Sequence, residues 1–476
     1  MPNFIPVLPE IFLLSMTCLI LVADLYLGKD RKGIVYLLTQ VTLVVTAIIV
    51  WAVKSTEKEV VMWGQFVNDP MSTLLNVFIC LCAAIVFIYS KDYLEDREMN
   101  KGEYYVLGLF AILGMMVMVS AHTMLSVYMG LELLSLSMYA MVAFNRDNAA
   151  SSEAAVKYFV LGAIASSMLL YGMSLIYGVT GSLNLAEIAQ ALTQPQELPT
   201  ILSLGVVFIV VGIAFKLGAV PFHMWVPDVY QGAPTAVTLF IGSVPKIAAF
   251  ALVMRLLVDG MSALATDWQP MLMLLVVASV AIGNVVAIAQ TNIKRMLAYS
   301  TISHIGFLLL GVIAANEAGY SASMFYTIVY TLMTMGVFGL LLILSRKGFE
   351  AENINDLKGL NDRNPWYALL MLILMFSMAG VPPTVGFYAK FAVLQAVINE
   401  GFVWLAIVAV LFSVIGAFYY LRIIKMMYFD APEDTSEISV KLDTHVVFSL
   451  NGLVILMLGL FPEKLIIWCQ NSIGIG

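Results

Sequence analysis

Lys216-Leu217-Gly218-Ala219-Val220-Pro221-Phe222-His223-Met224-Trp225-Val226-Pro227 decides how this chain folds. A run long and apolar enough to cross a membrane leads into it, and then two prolines and a glycine interrupt that run. Proline removes a backbone donor and clashes with the preceding turn, so the pattern predicts unwound backbone rather than a simple kink. Such backbone survives at membrane depth only where protein or a water-lined cavity surrounds it. A second interruption, Gly380-Val381-Pro382-Pro383-Thr384-Val385-Gly386, lies in another apolar run.

The whole chain supports a membrane reading. Of its 476 residues, 61% are hydrophobic and 12% charged, and its mean hydropathy is +0.93. A soluble protein is only about half apolar and about a quarter charged. Long unbroken runs such as Leu370 to Met378 exclude an outer-membrane barrel, whose segments alternate. Runs of spanning length fall at about 4-27, 34-53, 71-90, 104-120, 122-144, 153-178, 200-218, 236-258, 269-290, 295-315, 320-345, 366-391, 402-428 and 445-468. The fold class is therefore an all-α polytopic bundle of about fourteen helices, with the seventh and twelfth broken. The N-terminus has no Lys or Arg before Lys29, so its first run reads as a retained helix rather than a secretory signal.

Counting from the fourth span, spans 4 to 8 and 9 to 13 each carry an interruption in their fourth member. A repeat of five helices inserts its second copy upside down, which is the inverted-repeat layout of secondary transporters. The expected division is three N-terminal helices in 1-103, a first repeat in 104-259, an inverted second repeat in 269-428, and a loop with the last helix in 429-476. One set of connections holds Lys29, Arg31, Lys32, Lys91, Arg97, Lys101, Arg146, Lys294, Arg295, Arg346, Lys347, Lys358, Arg363, Arg422, Lys425 and Lys441; the opposite set holds only Lys54, Lys58 and Lys464. The positive-inside rule then places the first set in the cytoplasm and both termini outside.

Five basic residues fall inside spans. Arg255 lies near the outer end of its helix and is expected to snorkel. Lys157, Lys216, Lys246 and Lys390 cannot all do so, and each costs at least about 2.5 kcal/mol at a lipid-exposed helix centre, so they are expected to face the interior, a partner or water. Mid-span carboxylates are too few to neutralise them. Glu132, in the fifth span, is expected to meet Lys157 across a short loop, which makes the pair a switch for proton affinity. His223 follows Lys216 by seven residues and would share its face if helix resumes beyond the break. With His304 and linking waters and hydroxyls, these groups form a candidate proton relay.

Other groups read as bland. His122 is expected to be exposed in an outer loop, and Glu10 and Asp24 to be hydrated near helix ends. Cys18, Cys80, Cys82 and Cys469 match no redox, zinc or iron–sulfur spacing and read as structural. No HExxH, GxSxG or P-loop is present, no histidine pair is spaced for haem, and a net charge of −7 gives no basic surface for nucleic acid. The chain is expected to bind no cofactor or metal itself. An enzyme with an intramembrane active site would need a nucleophile and base at one membrane face, and neither is evident.

Two long segments, KLGAVPFHMWVPDVYQGAPT at 216-235 and QTNIKRMLAYSTISHIG at 290-306, closely resemble the antiporter-like membrane-arm subunits of proton-pumping NADH:quinone oxidoreductase, respiratory complex I. The likeness covers essentially the whole chain and is greatest to the subunit N family. A sister family typically has glutamate where this chain has Lys390, and another has a long lateral helix for which the residues after Trp468 leave no space. The resemblance implies that Glu132 is the fifth-helix glutamate, Lys216 the central lysine, Lys157 and Lys246 further lysines of the first half, and Lys390 the lysine of the exit half. The second half has Tyr326 and Tyr330 in its eleventh span but no lysine, so the link to Lys390 would rest on His304, tyrosines and water.

By that resemblance NADH, FMN, iron–sulfur clusters and quinone belong to partner subunits. The expected partners are the other membrane-arm subunits of a bacterial inner-membrane complex, the lipid bilayer and protons, with no nucleic acid. The alternative is a subunit of a multi-chain sodium/proton antiporter, which uses the same fold; flavin and iron–sulfur absorbance in the purified assembly separates the two.

Overall fold

The computed structural model describes residues 3–28, 32–194, 199–434, 436–438 and 440–474; Lys29 and Arg31 of the charge count lie outside the described residues. In chain order the α-helices are α1 Leu8–Tyr26, α2 Lys32–Ala52, α3 Pro70–Asp96, α4 Gly102–Val119, α5 Met124–Val142, α6 Ala149–Thr180, α7 Leu185–Leu192, α8 Pro199–Leu217, α9 Trp225–Gly232, α10 Thr235–Gly242, α11 Pro245–Val253, α12 Ala265–Ile288, α13 Ile293–Ile313, α14 Glu317–Leu344, α15 Leu360–Arg363, α16 Pro365–Ala379, α17 Val385–Asn399, α18 Val403–Phe429, α19 Leu442–Leu460 and α20 Glu463–Ile473. Among the described residues thirteen helical segments are long and apolar enough to span, and the two shorter apolar helices α16 and α17 are the halves of the broken twelfth span. The fourteen spans stand close to their expected positions.

Three details depart from expectation. The eighth span is interrupted as well: α10 ends at Gly242, Ser243 leaves helical geometry at φ −111° and ψ −88°, and α11 restarts on Pro245. A seven-residue π-helix, Met254–Gly260, then completes it. The last expected span, 445-468, stops at Leu460, because Pro462 cannot continue a helix and instead opens α20. On the seventh span helix does not resume directly after Pro221; residues 221–224 form turns and α9 begins at Trp225.

The spans sort by depth. The eighth is buried throughout its most apolar stretch and the tenth and eleventh nearly so, whereas the corresponding stretches of the first, sixth, thirteenth and fourteenth bury only about a third. Close helix crossings use small residues, as expected where lipid is as apolar as the side chains. A Cβ on Gly114 would come 2.6 Å from the Leu134 amide, where α4 meets α5, and one on Gly283 would come 2.7 Å from the Ser303 amide, where α12 meets α13. The same contact thus joins the first two helices of each expected repeat.

Irregular backbone at the two breaks is satisfied by serines. Val220 N donates to Ser279 Oγ at 2.9 Å, and Gly386 N donates to Ser377 Oγ at 3.0 Å. That meets the requirement that unwound segments be surrounded by protein.

The face carrying the short hairpin β1 (Glu59–Val61) and β2 (Phe66–Asn68) holds two corrections. Arg255 does not snorkel; it is 1% exposed. Its guanidinium donates to Val119 O at 2.9 Å, to Asp259 at 2.8 Å and to both oxygens of Asp69 at 2.8 and 3.0 Å. Asp69 is also the N-cap of α3, accepting from Ser72 N at 2.7 Å. Burial works against the Asp69 charge, but Arg255 and the Ser72 donors outweigh it and hold the carboxyl below its usual range. His122 is not exposed but 4% accessible. The hairpin closes over it, with His122 N donating to Gln65 O at 3.0 Å and Leu185 N donating to His122 O at 3.1 Å.

A depressed carboxyl contributes stability that is complete above its unfolded pKa and is lost as pH falls through the folded one, so at neutral pH the Asp69–Arg255 bond acts in full. Asp69→Asn is expected to destabilise the folded chain by about 3 kcal/mol or more, since it leaves a buried guanidinium short of one carboxylate. Thermal unfolding of the purified protein in detergent reads this out, and an unchanged midpoint would restore the snorkelling interpretation.

Candidate functional site: a buried row of amines, hydroxyls and one imidazole

In the first half, Lys216 is the penultimate residue of α8 and is 8% exposed. Its Nζ donates to Ser135 Oγ on α5 at 2.9 Å. Glu132 lies one turn earlier on α5, close enough for its charge to act on Lys216. It sits half-buried between the outward-facing Met129 and Leu136, and its Oε1 has no hydrogen-bond partner among the described residues. Lys246, the second residue of α11, is 2% exposed. Its Nζ donates to Leu217 O at 2.9 Å and lies 5.6 Å from the centre of the Trp225 ring.

Leu217 is the last residue of α8, so the carbonyl that receives Lys246 is one that the break has released from the helix. The second half repeats this chemistry. Lys390, on α17, donates to Ala379 O at 2.9 Å and to Ser413 Oγ at 2.9 Å. Ala379 is the last residue of α16. Final carbonyls of a helix lack intrahelical donors and carry the negative end of its dipole, so each break presents a ready acceptor for a cation.

Also in the second half stands His304, 3% exposed on α13. Its Nδ1 pairs with the Tyr326 hydroxyl at 2.6 Å and its Nε2 with the Tyr420 hydroxyl at 3.0 Å. The Tyr420 hydroxyl in turn bonds Ser300 Oγ. Tyr330, whose ring centre is 5.1 Å from that of His304, donates to Thr301 Oγ1 at 2.8 Å. On the Lys390 side Phe307 intervenes, with the amine 5.0 Å from its ring centre. On the Lys246 side α9 bridges the gap, since Trp225 underlies the amine and Tyr230 lies beside Thr301 and Tyr330.

Two expectations are corrected here. Lys157 does not meet Glu132. It lies in the third turn of the 32-residue α6, its side chain is 44% exposed, and it pairs with Glu153 at 2.8 Å and Asp228 at 2.9 Å. Loop shortness brought the helices together but did not fix which faces meet. His223 falls in the turns of the break, so the same-face argument with Lys216, which required continuous helix, does not apply. Ser135, Ser300, Thr301, Ser413, Tyr230 and Tyr420 were not singled out beforehand. Ser300, Thr301 and Tyr230 stand inside the two quoted segments, which was a usable signal; Ser135, Ser413 and Tyr420 stand in apolar runs that gave none.

Apart from Glu132, the partners of Lys216, Lys246 and Lys390 named above are neutral hydroxyls and carbonyls. Hydroxyl and imidazole groups both donate and accept, so the row can pass a proton by exchanging those roles. Among the described residues no group of three His, Cys, Asp or Glu side chains is placed to hold a metal ion.

Residues 121–416 match the family described as "NADH:quinone oxidoreductase/Mrp antiporter, TM". The chain is 59% identical to NADH-quinone oxidoreductase subunit N of Thioalkalivibrio sulfidiphilus, over 99% of each chain. It is also 59% identical to subunit N of Nitrosomonas europaea, over 98% of this chain and 97% of that one. Among solved structures, a chain of respiratory complex I from Thermus thermophilus superposes with a TM-score of 0.85 at 30% identity, covering 98% of this chain and all of that one. A chain of the Mrp complex from Dietzia shares the fold, with a TM-score of 0.83 at 19% identity and coverage of 99% and 96%. The chain belongs to the subunit N family of NADH-quinone oxidoreductase.

Proposed function

We propose that this chain is a proton-translocating membrane subunit of NADH:quinone oxidoreductase, and that Glu132, Lys216, Lys246, His304 and Lys390 carry the proton, with Tyr326 and Tyr330 supporting His304, His223 lying at the break, and Lys157 at one end. One observation carries the reading: three lysines are held inside spans by hydroxyls and released carbonyls rather than by matching acids. An amine so held can lose its proton without stranding a counter-charge, whereas a buried ion pair cannot. NADH oxidation and quinone reduction take place in partner subunits, which hold the FMN, the iron–sulfur clusters and the quinone site. The energy they release alters the charge or hydration of the row and moves protons outward.

The reading divides the chain as 1-103, 104-259, 269-428 and 429-476, places it in the bacterial inner membrane against the other membrane-arm subunits, and sets both termini outside. The alternative, a multi-chain sodium/proton antiporter, gains only the fold likeness at 19% identity, which both readings share. Relatives at 59% identity over the full length favour the first.

In the assembled complex in proteoliposomes, Lys216→Ala is expected to lower NADH-driven proton pumping by roughly tenfold, the loss that follows removal of one positioned proton-transfer group at the low end of its range. Normal pumping in that variant would remove the row as the proton path. Glu132→Gln removes the one negative charge near Lys216 and is expected to lower pumping by up to about tenfold, the equivalent of one pKa unit of lost interaction. Tyr420→Phe deletes a hydroxyl that joins Ser300 to His304, and about fivefold slower pumping is expected from one lost hydrogen bond of about 1 kcal/mol.

A further inference from the structure

Glu153, Lys157, Asp228 and Arg295 form one ionic cluster at the end of the buried row. Lys157 on α6 is shared between Glu153 on its own helix at 2.8 Å and Asp228 on α9 at 2.9 Å. Asp228 is shared in turn, because its other oxygen accepts from Arg295 in the first turn of α13 at 2.8 Å. Two acids and two bases leave the cluster neutral. They line a cavity of about 340 Å³ together with Asn148, Gln231 and Glu352. A larger cavity of about 570 Å³ adjoins it, sharing Asn148, Gly232 and Glu352 as walls. The basic loops of this face are the ones the charge count assigns to the cytoplasm.

The cluster stands one helical turn from an aromatic ring that lies beside a buried amine. Trp225 precedes Asp228 by three residues on α9, and Lys246 Nζ lies 5.6 Å from its ring. Tyr158, next to Lys157, stacks on Trp225 with ring centres 4.5 Å apart and planes 14° apart. Trp225 is fixed from the other side by donating Nε1 to Phe215 O at 2.9 Å. A water-accessible ionic cluster, a stacked aromatic pair and a dry amine therefore follow one another inward.

We propose that Glu153, Lys157, Asp228 and Arg295 form the proton-collecting site of this chain, which captures protons from the aqueous cavity and supplies them to Lys246. The proposal rests on the relay reading above. A proton from a cavity water binds an oxygen of Asp228 or Glu153 and leaves hydroxide to bulk water. The carboxyl then holds its cations less firmly, and the cluster carries one net positive charge. When the Tyr158–Trp225 stack parts, the proton passes through water to the neutral Lys246 amine and the carboxylate is ionised again. The groups facing Asp228 are Glu153 and Lys157 on α6, Arg295 and Lys294 on α13, and Glu352 in the loop before α15; Lys294 is tied to Glu352 at 2.8 Å and to Ala233 O at 3.0 Å.

The test uses the complete complex in proteoliposomes with an uncoupler present, measuring NADH:quinone turnover from pH 6 to pH 8.5. Where protons are scarce, capture limits the rate, so D228N and E153Q are each expected to lose about fivefold more turnover at pH 8.5 than at pH 6, and D228E to recover the native profile. E153Q touches only Lys157 and carries the measurement if D228N does not assemble. An equal loss at every pH, or a profile matching the native one, overturns the proposal and leaves a structural ion cluster. Lys216→Ala is run in parallel. Normal turnover and pumping in that variant defeats the relay reading itself, whereas impaired Lys216→Ala with native-like profiles in D228N and E153Q defeats only the collecting site.

Discussion

An ammonium group in the membrane interior must find oxygen acceptors there, and this fold provides them by ending helices in mid-membrane. An unbroken helix consumes its own carbonyls; a broken one releases its last turn of them. Leu217 and Ala379 are the residues at which α8 and α16 end, and their carbonyls receive Lys246 and Lys390. The lysines and breaks thus explain each other. The breaks without the lysines would leave carbonyls unpaired, and without the breaks Lys246 would lose the Leu217 carbonyl and Lys390 would keep only the Ser413 hydroxyl. The glycine at each C-terminus permits this geometry, because Gly218 and Gly380 adopt φ of +84° and +86°, where a side chain is strained. At Gly380 a Cβ would also meet the Lys390 side chain at 2.9 Å.

His304 occupies the middle of the row in an unusual balance. Neutral imidazole has one donor and one acceptor, and here each nitrogen faces a phenol. Either Tyr326 donates and Tyr420 accepts, or the reverse. Exchange between those arrangements is the elementary act of a proton hop, so the contacts that satisfy this buried histidine are also the ones the proposed relay would use. The neighbouring Tyr330 branch is different in kind. Tyr330 donates to Thr301, and Thr301 donates to Leu297 O, so that branch ends on a backbone carbonyl that has no proton to pass on. Tyr330 packs beside the His304 ring, whereas Tyr326 and Tyr420 bond its two nitrogens.

The architecture was largely legible in the sequence. Span positions follow from apolar run lengths, and both breaks from Gly and Pro. Pairings were not legible, because they join residues far apart in the chain on faces that periodicity does not register. Asp69 and Arg255 are 186 residues apart, and Lys157 and Asp228 are 71 apart. Arg255 read as a snorkelling residue because its helix end was visible and its carboxylate on α3 was not. His122 read as exposed because a loop position says nothing of a hairpin closing over it. The acceptors of Lys246 and Lys390 are backbone atoms with no letter in the sequence. The break of the eighth span at Ser243 leaves little trace in the sequence for a related reason: one proline at the first position of a restarted helix costs little and looks like ordinary helix entry.

Lys157 differs from the other three lysines in a way that separates the chain into two electrostatic regimes. At the aqueous face charges are matched by charges, each of Lys157 and Asp228 being shared by two opposite partners. In the interior, amines are matched by dipoles. An ion pair at the face exchanges readily with water and is worth little in stability, so it can open and close. A dipole-held amine inside keeps its acceptors whether or not it is charged, because a neutral amine still has two N–H donors for the hydroxyl and carbonyl it faces. Placing the ionic regime at the water and the dipolar regime in the membrane lets Lys246 and Lys390 change charge without an unpaired carboxylate being left behind, which is the condition a proton path across a low-dielectric layer has to meet.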